Sequence, residues 1–184
     1  MTNPFDKYQP FQKLTKPLFL YIEYEYLIHM TEEEIVGIIP NTKSGFLGQK
    51  AYNLIVTNHR LIVAELTKDM LKDEAKRVTD ETKEKGEGIF SRMAKTMSSG
   101  TNLYQKYYSM PIESILTENP GNYSITVNDV KKIKIKLGMM YDDGRNIPNE
   151  ITIKWANGKE SFKFSSSTND AKNILKKTFG NLVK

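Results

Sequence analysis

Fifteen residues, Tyr52–Leu66 (Y-N-L-I-V-T-N-H-R-L-I-V-A-E-L), constrain the fold more than any other stretch of this chain. Two short apolar runs flank the polar tetrad Thr57-Asn58-His59-Arg60. Asn tolerates positive φ and Thr bonds back to the backbone, so the tetrad can reverse the chain. The runs alternate and are rich in β-branched residues, which predicts a β-hairpin.

A second hairpin is predicted near the end. Asn157-Gly158 is a strong two-residue turn signal. With that turn as hinge, Ile153 falls opposite Phe162 and Ile151 opposite Phe164. All four face one side, and Thr152, Lys154, Ser161 and Lys163 face the other. Between the two hairpins, Tyr104–Met110 and 112–118 read as extended around Pro111. Tyr123, Ile125 and Val127 alternate, as do Ile133, Ile135 and Leu137; Met139–Pro148 reads as a loop. Upstream, Glu34–Ile39 reads as a strand ended by Pro40-Asn41, with a glycine-bearing loop over 41–50. Ser167, with Asp170 three residues on, predicts a helix start. Its apolar stripe is Ala171, Ile174, Leu175, Thr178, Phe179 and Leu182.

Residues 67–103 break the β-pattern and predict a helical insertion. Leu71, Ala75 and Val78 form a thin stripe on a solvated helix. Ile89, Phe90, Met93 and Met97 line a second short helix, with Arg92 and Lys95 off that line. Residues 1–31 divide into a Pro-punctuated arm and a segment, 18–30, that reads as helix or strand. Residues 32–184 then form one domain, which suits a 184-residue chain.

That order of elements resembles the prokaryotic pleckstrin-homology-like (PH-like, GRAM-like) domains. The matching residues are Glu34–Ile39, Leu54–Ile62 with its T-N-x-R-L-I phrase, Met110–Ile115, Asp129–Ile133 and the Asn157-Gly158 hairpin. The resemblance implies an α+β, mainly β fold. About seven antiparallel strands would form a bent sheet or barrel capped by the C-terminal amphipathic helix. It also implies a binding or scaffolding module rather than a catalyst. Members that bind inositol phosphates carry a basic cluster after the first strand; here that loop offers only Lys43 and Lys50.

The charge pattern adds candidate surfaces. The net charge is +5 and the pI about 9.1. Residues 101–184 hold 13 Lys and Arg against 8 Asp and Glu, which accounts for the whole excess. Lys132, Lys134 and Lys136 alternate with apolar residues and therefore share one strand face, joined by Lys131. They make either a surface for an anionic partner or a solvated outer face. Arg60 either contacts an anion or braces its hairpin. The helix with Ile89, Phe90, Arg92, Met93 and Met97 either packs on the domain or a second copy, or dips into a membrane.

With no Cys, thiolate metal sites and Cys nucleophiles are excluded. His29 and His59 lack ligand spacing, Asp142-Asp143-Gly144 reads as a turn, and no phosphate loop or nucleophile elbow is found. No cofactor or metal is expected. The N-terminus lacks a signal-peptide core, and Leu18–Met30 is too short to span a membrane. The expected setting is the cytoplasm, free or peripheral to a membrane. The expected function is protein–protein contact, with self-association through sheet edges and the insertion. Binding to anionic membrane lipid is the alternative. Nucleic acid ranks below both, because the lysine strand lacks interleaved aromatics.

Overall fold

The computed structural model describes residues 32–45, 49–84, 102–144 and 146–184. Segment 18–30 and the Ile89–Met97 helix therefore lie outside the described residues. The fold is a seven-stranded antiparallel sheet with a C-terminal helix. Its strands are β1 (Ile35–Ser44), β2 (Lys50–Thr57), β3 (Arg60–Leu66), β4 (Tyr123–Thr126), β5 (Val130–Lys136), β8 (Asn149–Trp155) and β9 (Gly158–Phe164). They are ordered β4-β3-β2-β1-β9-β8-β5. A separate miniature hairpin, β6 (Met139–Met140) with β7 (Asn146–Ile147), stands where a plain loop was expected.

The sheet is rolled but open. β4 and β5 lie at its opposite edges, yet only Val127–Asp129 join them. Three residues can bridge only about 10–14 Å, so the edges converge at that corner. They do not pair, so of the bent sheet or barrel expected the chain forms the bent, unclosed sheet. Glu160 on β9 ties the roll together. It accepts hydrogen bonds from Ser44 Oγ on β1 (2.5 Å) and from Tyr123 Oη on β4. Burial, then the Glu160 hydrogen bond and its charge, pushes the Tyr123 phenol well above its usual range. Burial, with the charges of Glu160 and Glu65, pushes Tyr52 up to about 12. Both hydroxyls therefore stay protonated and available as donors at neutral pH.

Inside the roll, Leu54, Val56, Leu61, Val63, Ile133, Ile151, Ile153 and Phe162 meet one face of helix α3 (Thr168–Phe179). Ala171, Leu175 and Phe179 of α3 are buried in that core. Ser167 caps the helix, its side chain accepting from Asp170 N as the spacing predicted. The chain then follows β5: Lys184 N donates to Ile133 O at 2.8 Å and Ile135 N to Lys184 O at 3.2 Å.

Four expectations need correction. Pro40-Asn41 does not end the first strand. Asn41 takes φ +54° in a bulge, its N–H held by Asn53 Oδ1 at 3.0 Å, and β1 continues to Ser44. Asn-Gly is not the turn of the late hairpin. Trp155 pairs with Gly158, so the turn is Ala156-Asn157 and Ile151, not Ile153, faces Phe162. Gly158 serves as a strand residue instead; a Cβ there would sit 2.6 Å from the Trp155 ring. A slip of two residues keeps every side chain on its expected face.

Third, 103–117 is helical rather than extended. A 3-10 helix, Leu103–Ser109, leads through Pro111 into α2 (Ile112–Thr117). Fourth, the miniature hairpin replaces a loop. The excursion between β3 and β4 opens with α1 (Lys68–Glu84), on which Leu71 is exposed as expected of a thin stripe. Its later part packs on the outside of the sheet. Tyr107 and Ile115 are fully buried against Ile38, Ile55, Ile62 and Ala64.

Candidate binding face

The outer surface of the sheet is thus divided. Over β1–β3 it is apolar and covered by the 3-10 helix and α2. Over β9, β8 and β5 it is polar. Here the pairing builds rows, because residues opposite one another in a sheet share a face. Lys43, Lys163, Glu150 and Lys136 form one row. Ser161, Thr152 and Lys134 form the next, and Lys159, Lys154 and Lys132 the third.

All seven of these lysines are exposed, and Glu150 is the single carboxylate among them. Four strands and three rows cover only about 14 by 14 Å. A shallow concavity of about 310 Å³ lies on this face, lined by Lys132, Lys134, Lys136, Lys154 and Lys159 with Glu150, Thr152 and Ser161. The Thr152 and Ser161 hydroxyls bond each other at 2.8 Å in its floor. Glu150 Oε1 approaches Lys136 Nζ at only 3.9 Å, a weak neutralisation at a solvated surface. Lysines directly opposite one another repel, and here three stand in one row.

The structure gathers some expected residues and separates others. Lys132, Lys134 and Lys136 share the face, and Lys43 joins them across β9. Lys131 is the extra residue of a bulge between Val130 and Lys132, its Nζ 3.5 Å from Ala156 O. Lys50 pairs with Ser44, which turns inward, and so leaves the group. Arg60 Nη2 meets Glu113 Oε1 at 2.7 Å, an ion pair between the hairpin and α2. Ile89, Phe90, Arg92, Met93 and Met97 lie outside the described residues. Lys154, Lys159 and Lys163 complete the face and were not singled out from sequence. The alternation along 151–164 puts Lys154 and Lys163 outward, but nothing in the sequence places that hairpin beside β5.

The tetrad Thr57–Arg60 is turn machinery. Thr57 Oγ1 accepts from His59 N at 3.1 Å and Arg60 N at 2.9 Å. Asn58 Oδ1 accepts from Glu34 N, and Asn58 N donates to Glu34 O, both at 3.0 Å. Among the described residues, no three His, Cys, Asp or Glu side chains are placed to share a metal ion. No helix among them is long and apolar enough to cross a membrane. No family model, curated protein or solved structure matches the chain.

Proposed function

We propose that this chain is a non-enzymatic, PH-like binding module whose working surface is the lysine face of β5, β8 and β9. The rolled seven-stranded sheet and its C-terminal helix support the PH-like reading. One observation carries the rest: seven exposed lysines and one carboxylate share a single sheet face that no element among the described residues covers, with three lysines opposed in one row. A face that only had to be wetted would be more stable with mixed charge. Concentrated like charge costs stability and gains a field that attracts anions. The partner is therefore polyanionic. Sheet edges are poor contact surfaces here, since β4 has four residues and β5 is lined by Lys184.

The test compares two double variants of equal charge change. Lys134→Glu with Lys154→Glu alters the face; Lys176→Glu with Lys177→Glu alters exposed positions on α3. On immobilised heparin, the face variant elutes at distinctly lower salt than the helix variant. Equal elution of the two would reduce the reading to a nonspecific effect of net charge.

A further inference from the structure

Where the lysine face meets the base of the miniature hairpin there is a groove with apolar walls. Leu137, Ile147 and Pro148 line it together with Lys136, Lys163 and Glu150, around a volume of about 350 Å³. Leu137 is 77% exposed and Ile147 51%. Gly138 sets this arrangement. A Cβ there would lie 2.1 Å from Ile147 O, so only glycine lets the hairpin fold back against the chain at 147–149. Met139 and Met140 are neighbours on β6 and point to opposite sides of the hairpin. The exposed apolar side chains of the hairpin are therefore split between two faces, and the groove takes a single side chain rather than a broad surface.

Resting on the reading of the lysine face, we infer that its polyanionic partner is an extended acidic segment of another protein, with one apolar side chain that fills this groove. Charge complementarity and spacing select this occupant. Lys132, Lys134 and Lys136 recur along β5 at about 6.8 Å, the distance between alternate side chains of any extended chain. A segment laid along β5 therefore sets a carboxylate at every second position over the three rows. Its next alternate side chain reaches the groove beside Lys136. Glu150 stands in that wall and repels a further carboxylate, so an uncharged side chain is favoured there. Lys184 lines the β5 edge, so the segment lies on the face and not along the edge. A nucleic acid fits less well. The residues of the three rows include neither an aromatic side chain nor Arg, so bases meet no stacking platform and phosphates no bidentate fork.

The experiment titrates the full chain into a dye-labelled nonapeptide and reads fluorescence anisotropy. The peptide has glutamate at its third, fifth and seventh positions, leucine at both ends and threonine between. Leucine at both ends makes the test independent of peptide direction. Wild type binds this peptide, and binds one of the same composition with its three glutamates adjacent distinctly more weakly. Threonine in place of both leucines weakens binding about tenfold. Leu137→Ser with Ile147→Ser reproduces that loss and leaves heparin elution unchanged. Lys134→Glu with Lys154→Glu weakens both. Glu150→Gln narrows the preference for leucine over glutamate at the peptide ends, a change that loss of folding would not produce. Equal binding of alternating and adjacent glutamates, or full binding by the groove variant, overturns the inference and leaves the lysine face standing. Binding to a thymidine oligonucleotide or to phosphatidylserine vesicles without binding to the peptide also overturns it and assigns the face to that partner. Loss of the heparin difference between the face variant and the helix variant removes the underlying reading itself.

Discussion

At the scale of single residues, the described fold turns on a few polar side chains that hold backbone. Thr57 is fully buried, and its hydroxyl receives two N–H groups and donates to Arg60 O at 3.1 Å. Its carbonyl meanwhile accepts from Thr178 Oγ1 at 2.6 Å, joining the turn to α3. Valine keeps the shape and strands both donors. Thr57→Val is therefore expected to destabilise by about 1–3 kcal/mol, read as a lower urea midpoint at unchanged slope. Tyr107 shows the same economy outside the sheet. Its ring is buried and its hydroxyl donates to Glu118 Oε2 at 3.0 Å. Burial first, then the Glu118 charge, pushes its pKa well above the usual value.

At the scale of elements, the two halves of the sheet differ because their strands are written differently. Leu54-Ile55-Val56 and Leu61-Ile62-Val63-Ala64 are continuous apolar runs, which a strand needs when both faces are buried. The 3-10 helix and α2 supply the second cover. Tyr104 and Tyr107, and Ile112 with Ile115 and Leu116, recur at three and four residues, a helical spacing that the strand-like reading of 104–118 passed over. Ile115 is the fully buried anchor of the six-residue α2. Ile115→Ala is expected to cost about 2–4 kcal/mol and to raise amide exchange across 112–117 more than in β5 or β8. Uniform exchange at both places would show that α2 is not held by that contact. On β5 the apolar residues alternate with lysine, and no cover is present over that face among the described residues.

At the scale of the whole molecule, the lysine face sets binding against stability. Lys132, Lys154 and Lys159 stand opposite one another across three strands. Like charges directly opposed destabilise a sheet by roughly 0.2–1 kcal/mol per pair. The same Lys134→Glu and Lys154→Glu variant that weakens heparin binding should therefore melt higher than wild type at low salt. The gain should shrink as salt rises and screens the repulsion. A lower melting temperature at low salt would mean that these lysines are part of the fold's support, not a concentrated surface charge.

Local order was legible in the chain. The Thr57–Arg60 turn, the alternation in β5, β8 and β9, the Ser167 cap and the stripe of α3 all follow from neighbouring residues, because strand and helix periodicity and turn chemistry act over a few positions. A register error of two residues at Ala156-Asn157 left each face correct, since side chains alternate with period two. Strand order is different. It is settled by contacts far apart in sequence: Lys43 beside Lys163, Glu150 beside Lys136, Tyr123 across the roll from Glu160. Sequence alone therefore determined that Lys132, Lys134 and Lys136 share a strand face. Only the tertiary structure decided that Lys43, Lys154, Lys159 and Lys163 stand with them and that an apolar hairpin borders the group. The physical reason is that a local pattern names a face, while long-range backbone pairing chooses its neighbours.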